Sequence, residues 1–266
     1  MQKAGIIFLL LFFTFRGVVH SQVDEIKTNS DRNSESRDNN RHNNSSDRSY
    51  YNDDNDDDNC VSSLITECCT SILTEVITSI LSDISAGLWA QKEEKPRIGS
   101  ADFIGMAGLS IPRNPITVPR VRYNAAIYST DLRVYTNYEG DVNGINTYST
   151  IDWQILMLNL VILDEVNFRI GTGLLYEYYA NIVFNEHTAN LDIYPDDLFK
   201  VNIEYRFAPD YETKNIVRNE INIGLYYKIK QWNRSDMYVF GNYMGSKYYQ
   251  TVWLDQAAIG VQFSIY

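Results

Sequence analysis

At 266 residues and a formal charge of −11, the chain is long enough for one sizeable domain plus appendages. It is too acidic for a nucleic-acid binder, whose affinity rests on Lys and Arg neutralising phosphates. Its three cysteines, Cys60, Cys68 and Cys69, cannot all pair within one chain and none lies in the long C-terminal part, which is therefore not a disulfide scaffold; C-x7-C-C without a nearby His is only a weak zinc pattern, and no metal is expected.

The first 21 residues read as a secretory signal. Lys3 supplies a thin positive region, Ile6 to Phe15 an apolar core, and Val19-His20-Ser21 small residues ahead of a cleavage point before Gln22. Arg16 interrupts the apolar run well short of the roughly 20 residues that a spanning helix needs. No Cys stands where a lipid anchor would attach.

Residues 22–59 carry eleven acidic and five basic side chains among Asn and Ser, with little that is apolar. Such a composition buries too little surface to offset the entropy of ordering, and a disordered linker is expected. The run Asp53-Asp-Asn-Asp-Asp-Asp58 lacks the glycine turn and distal Glu of a calcium loop.

Residues 60–90 are expected to form one amphipathic helix. From Cys60 to Asp83 the sequence alternates two apolar and two polar residues, a period closer to a helix than to a strand. A four-residue stripe drifts by about 40° per repeat on an α-helix, so it suits packing along an inclined ridge, or self-association through the 60–84 stretch, better than lying flat on a membrane. The charged, Pro-containing joint at 91–99 marks the domain boundary.

From Ser100 onward the chain repeats. An acidic residue precedes an alternating strand at Asp102, Asp131, Glu165, Asp197 and Asp236, at spacings of 29, 34, 32 and 39 residues. One hairpin per repeat gives about ten strands, or eight if the hairpin near Asn185–Asn190 is dropped. Short joints fall at 129–131, 163–165, 195–197 and 233–236. Longer connections are expected at 112–119, 139–146, 185–190, 208–215 and 246–251. The predicted fold is therefore all-β: an antiparallel up-and-down barrel over 100–266.

Two faces emerge from the alternation. Phe168, Ile170, Thr172, Leu174, Tyr176 and Tyr178 share one side of a strand whose tilted height is roughly 25 Å, the thickness of a membrane barrel's apolar band. Similar faces recur at Ile151, Trp153, Ile155 and Met157; at Phe199, Val201, Ile203, Tyr205 and Phe207; at Ile221, Ile223, Leu225, Tyr227 and Ile229; and at Ala257, Ile259, Val261, Phe263 and Ile265. The lipid-facing set is thus expected to include Phe168, Ile170, Leu174, Tyr176, Ile203, Ile221, Ile223, Leu225, Ile259, Val261 and Phe263. The opposite faces mix glycine with charges of both signs. Arg133, Asp152, Arg169, Glu177, Lys200, Glu204 and Arg206 are expected to pair in a crowded lumen, where a charge out of water needs a partner.

On these residues the chain resembles the small bacterial outer-membrane β-barrel proteins as a broad class. The resemblance covers roughly 100–266 and rests on the export signal, the lipid-height strands, the tyrosine-rich edges and the C-terminal strand ending in an aromatic. It implies a bilayer as partner, an insertion machinery that reads the last strand, a cell outer-membrane address, and a periplasmic place for linker and helix. Tyr266 departs from the class by one position: it shares parity with Ser264, Gln262 and Gly260, which calls for a bulge or a variant signal.

No phosphate loop, zinc signature or nucleophile elbow occurs, and no cofactor is expected. His187 stands beside Glu186, but neighbours in a strand point apart, so the Glu cannot orient the His. Asp152 and Glu177 could pose as paired carboxylates, yet arginine partners suit them better. The expected function is a non-enzymatic barrel with a largely filled lumen, acting through surface loops in binding, adhesion or envelope integrity. A secreted, soluble ligand-binding barrel with an apolar interior is one alternative, and a lipid-modifying enzyme at the rim is another.

Overall fold

The structure, a computed structural model, describes residues 22–46, 99–111, 114–141 and 144–266. Ten strands form a single antiparallel sheet: β1 Gly99–Ser110, β2 Asn114–Ala125, β3 Tyr128–Asp141, β4 Gly144–Ile162, β5 Val166–Glu177, β6 Ile182–Ile193, β7 Phe199–Pro209, β8 Ile216–Trp232, β9 Ser235–Tyr248 and β10 Val252–Ile265. Each strand pairs with its sequence neighbours, and β10 returns to pair with β1 from Ala101↔Ile265 to Ser110↔Gln256, closing an up-and-down barrel without a free edge. One helix, α1 (Gln22–Ser46), precedes it.

The alternation seen in the sequence appears as an inside-out distribution of polarity. In β7, Lys200, Asn202, Glu204 and Arg206 are buried, while Phe199, Ile203 and Tyr205 are exposed. In β10, Gln256, Gln262 and Ser264 point in, while Ile259 at 77% exposure, Val261 and Ile265 point out.

The ladder is interrupted where the sequence demands it. Between β4 and β5 the register shifts between Trp153 and Leu156, so Ile155 and Leu156 both face outward and Met157 turns inward. Met157 therefore leaves the outer face to which strict alternation assigns it. Between β2 and β3 the matched pairs step from Thr117↔Thr136 to Arg120↔Arg133, bracketing Pro119, which has no N–H to donate.

The connections differ from expectation. Residues 126–127, 163–165, 194–198 and 233–234 join strands at the mouth where β1 begins and β10 ends; at the second mouth the described connections are 178–181, 210–215 and 249–251. The expected long loops are mostly strand. Their inward residues are polar in β6, with Glu186, Thr188 and Asn190, and apolar in β2, with Ile116 and Val118. The range 185–190 lies wholly within β6, and its hairpin is at 178–181 instead.

Residues 22–46, expected to be part of a disordered linker, form α1. Val23, Ile26, Ser30 and Asn33 are buried and Arg37 half-buried, a 3-4-3-4 spacing that defines one helix face. Only its first two members are apolar. An isolated helix of this composition would be marginal, so docking supplies what propensity does not. The signal sequence, the helix expected at 60–90 with its self-association stripe, and all three cysteines lie outside the described residues.

At the C-terminus β10 keeps register with both neighbours through Ile265, so no bulge accounts for Tyr266. Its N–H donates to the Arg234 carbonyl at 2.8 Å and its hydroxyl to Asp236 at 3.3 Å, which places the ring at the lumen side of the first mouth.

Candidate functional site: the lumen and the capped mouth

A knot of ion pairs projects into the lumen. Five guanidinium groups (Arg120, Arg122, Arg133, Arg206 and Arg218) interleave with five carboxylates (Asp131, Asp152, Glu186, Glu204 and Glu220), so the knot is formally neutral. Strand register builds it. Arg122↔Asp131 and Arg133↔Asp152 are cross-strand neighbours, as are Arg206↔Glu220. Arg120 Nη2 lies 2.5 Å from both Asp131 and Glu204; Arg122 reaches the same two acids at 2.8 and 3.2 Å. Arg206 donates through Nε to Glu204 at 2.6 Å and through Nη1 to Glu186 at 3.3 Å. Arg218 pairs with Glu186 and stands 3.0 Å from Asp152, and Arg133 bridges Asp152 and Glu220.

Contacts run straight across the barrel, from β2 to β7 and from β3 to β8. Taking ten charges out of water is costly unless each finds partners, and here the fork of each guanidinium engages two acids.

Toward the first mouth, Arg169 pairs with Asp192 and donates to Asn124 Oδ1 at 3.0 Å. Lys200 Nζ donates to Gln262 Oε1 at 2.7 Å and sits 3.9 Å from the Tyr226 ring centroid. Against one wall the filling is apolar: Ile104, Met106, Ile116, Val118, Tyr226 and Phe240 belong to one buried cluster.

All seven lumen residues singled out from sequence are buried, but they do not form one network. Arg133, Asp152, Glu204 and Arg206 belong to the central knot, Arg169 joins it through Asp192, which stands 3.9 Å from Arg122, and Lys200 hydrogen-bonds to Gln262 toward the first mouth. Among the described residues no arginine lies within ion-pair distance of Glu177, which accepts the Tyr249 hydroxyl. Arg120, Arg122, Asp131, Glu186, Asp192, Arg218 and Glu220 were not anticipated. Arg120 and Arg122 lie in β2 just past a Pro-rich stretch taken as a loop, and Glu186 was weighed only as a companion of His187. Parity along β2, β6 and β8 was the available signal.

The outer face of the wall is largely apolar. Ile170, Ile203, Ile221, Ile223, Leu225, Ile259 and Val261 are exposed, and Phe168, Leu174, Tyr176 and Phe263 are half-buried on the same side. Aromatic side chains ring both ends: Tyr123, Phe199, Tyr227 and Trp232 near the first mouth, and Tyr178, Tyr179, Tyr211 and Trp253 near the second. His187 also points outward from β6, stacked on Phe207 and within 3.1 Å of the Tyr211 hydroxyl, whereas Glu186 points into the knot. The two thus lie on opposite faces of the wall. Among the described residues no group of His, Cys, Asp and Glu is placed to hold a metal ion.

The chain is structurally similar to small outer-membrane β-barrels. The KdgM porin matches at 12% identity and a TM-score of 0.33, covering 63% of this chain and 99% of that one. The N-terminal β-barrel domain of Pseudomonas aeruginosa OprF matches at 10% and 0.29, covering 63% and 99%, and Neisserial surface protein A at 7% and 0.28, covering 63% and 94%. No family model matches the chain, and no curated protein matches it in sequence. Similarity at this level carries no argument, and the barrel stands on its own closure and polarity.

α1 lies over the second mouth. Val23 and Ile26 enter the buried cluster that includes Tyr135, Tyr148, Tyr248 and Leu254, a burial of about 1.5–3 kcal/mol for each aliphatic side chain. The Val23 N–H donates to Glu139 at 3.0 Å, Gln22 Nε2 to the Trp253 carbonyl at 3.2 Å, and Asn29 Nδ2 to Thr251 Oγ1 at 3.0 Å. Lys27 donates to Asn146, and its ammonium lies 5.0 Å from the Tyr179 ring centroid.

Proposed function

We propose that this chain is a non-enzymatic protein of the cell outer membrane whose barrel spans the bilayer and whose lumen is closed to free diffusion. The observation that supports it is the inversion of polarity: ion pairs such as Arg133–Glu220 cross the interior, while Ile170, Ile223 and Ile259 face out. In water that arrangement would expose an apolar belt; in lipid it satisfies every strand. The same inversion argues against a soluble carrier, which needs an apolar interior. With short connections at both mouths, little loop surface is offered for adhesion. Of the roles open to such a barrel, envelope integrity fits best, with α1 and the 210–215 connection as its presented surface.

Reconstitution tests this reading. The purified full chain should stay with membranes through high-salt and carbonate washes, migrate anomalously on unheated gels, and give no stable conductance steps in planar bilayers. Recovery as a soluble monomer without detergent would overturn the membrane assignment. Sustained ohmic steps would overturn the closed lumen alone.

A further inference from the structure

We propose that α1 is a built-in, reversible cap of the second mouth, latched to the barrel through Asp210 in the 210–215 connection. The inference goes beyond the membrane reading and does not rest on it.

The latch is built from both partners. Asp210 is 1% exposed although it sits in a connection. From α1, Asn33 Nδ2 donates to its Oδ2 at 2.7 Å and Arg37 Nε to its Oδ1 at 3.2 Å. From its own connection, the backbone N–H of Glu212 and the Thr213 hydroxyl donate to it at 3.0 and 2.9 Å. The Thr213 hydroxyl also stands 2.9 Å from Asn33 Oδ1, so its single proton is shared between the helix amide and the loop acid. The other titratable groups facing Asp210 are Glu212, 3.5 Å from Arg37 Nε, and Tyr249 in the β9–β10 turn.

Reversibility follows from what the cap leaves undone. No strand depends on α1: the sheet closes through β1 and β10 alone. The docked face is apolar only at Val23 and Ile26. Near the second mouth, both amide atoms of Asn137 and the Tyr248 hydroxyl, which shares the buried cluster of Val23 and Ile26, have no hydrogen-bond partner among the described residues, and water could reach such groups once the helix lifted. A seat with few apolar anchors and orphaned polar atoms opens more readily than a sealed core.

The latch carries a pH dependence. Burial pushes the Asp210 carboxyl up, but the bonds from Asn33, Thr213 and the Glu212 N–H, with the Arg37 charge, outweigh it and hold the group below the usual carboxylate range. With the helix undocked, Asn33 and Arg37 are lost and the value rises toward the ordinary one. Docking is therefore favoured above that ordinary value, and the advantage disappears as pH falls through the depressed one.

Hydrogen exchange on the purified full chain in detergent micelles, corrected for intrinsic pH effects, tests the cap against the barrel within one sample. At neutral pH the amides of 22–37 should exchange at least about tenfold more slowly than free chain, yet faster than those of β9 and β10. Asn33→Ala with Arg37→Gln should lower that protection about tenfold, and lowering the pH to about 3 should lower it by a smaller factor of roughly two- to fivefold, with the strands unchanged in both cases. Val23→Asp with Ile26→Asp should abolish it, and the exposed Glu35→Gln should leave it intact. Unprotected 22–37 amides in the unaltered protein would overturn docking. Protection indifferent to Asn33→Ala/Arg37→Gln and to pH would overturn the Asp210 latch. Loss of 22–37 protection only together with the strands would overturn reversibility.

Discussion

Arg133 on β3 and Asp152 on β4 stand opposite each other in the ladder, Nη2 to Oδ2 at 2.5 Å, and the same guanidinium reaches across the barrel to Glu220 on β8. One side chain thus ties two adjacent strands to the opposite wall. Arg133→Met removes the shared cation and leaves Asp152 and Glu220 to the longer contacts of Arg206 and Arg218. Breaking a buried pair in this way costs about 3–5 kcal/mol, because the surviving charge is uncompensated. The urea midpoint of the folded barrel in detergent should fall accordingly, and an unchanged midpoint would show that the knot fills space without holding the walls.

The β9–β10 connection turns through Tyr249 and Gln250 at φ 48 and 62°, with Thr251 N–H donating to the Tyr248 carbonyl at 3.0 Å. Both central residues lie in the left-handed region that favours glycine or asparagine, which suits the twist of a hairpin but costs an ordinary side chain about 1–2 kcal/mol. Tyr249 is retained there by its hydroxyl on Glu177 and its packing against both buried clusters. Gln250 is exposed and has no such compensation. Gln250→Gly should therefore raise the unfolding midpoint by an amount equivalent to about 1 kcal/mol, whereas Tyr249→Gly should lower it. Equal effects at the two positions would contradict the distinction.

Gly173 on β5 marks a close approach. A Cβ there would stand 2.0 Å from the Trp153 carbonyl, beside the register shift that turns Met157 inward. Backbone cannot give way as a flexible side chain can, so Gly173→Ala should cost roughly 1–3 kcal/mol in the same denaturation measurement. The outward Gly105, whose added Cβ would meet nothing within 4 Å, serves as the control and should change little as Gly105→Ala.

Much of the barrel was legible because period-two alternation survives in β5, β7, β8 and β10, and because parity assigns Arg169, Glu204 and Arg206 to the inside without reference to their partners. Legibility failed where a local signal competed. Pro115 and Pro119 made β2 resemble a loop and hid Arg120 and Arg122, although each proline lies on the outward parity of the strand. The helix face Val23, Ile26, Ser30, Asn33 and Arg37 escaped notice because its last three members are polar, and their value depends on Asp210 and Glu177, more than a hundred residues away. Partner choice across a lumen is a property of closure, which no local window contains.

Depth-graded quenching of single tryptophans by brominated lipids tests the inside–outside assignment most directly. Trp153 projects outward from the middle of β4, while Trp232 and Trp253 lie at the two ends of the wall. With the other tryptophans replaced by Phe, Trp153 should be quenched most by bromines near the bilayer centre, and Trp232 and Trp253 most by bromines near the headgroups. Trp153 quenched by aqueous iodide and untouched by any brominated lipid would contradict the account.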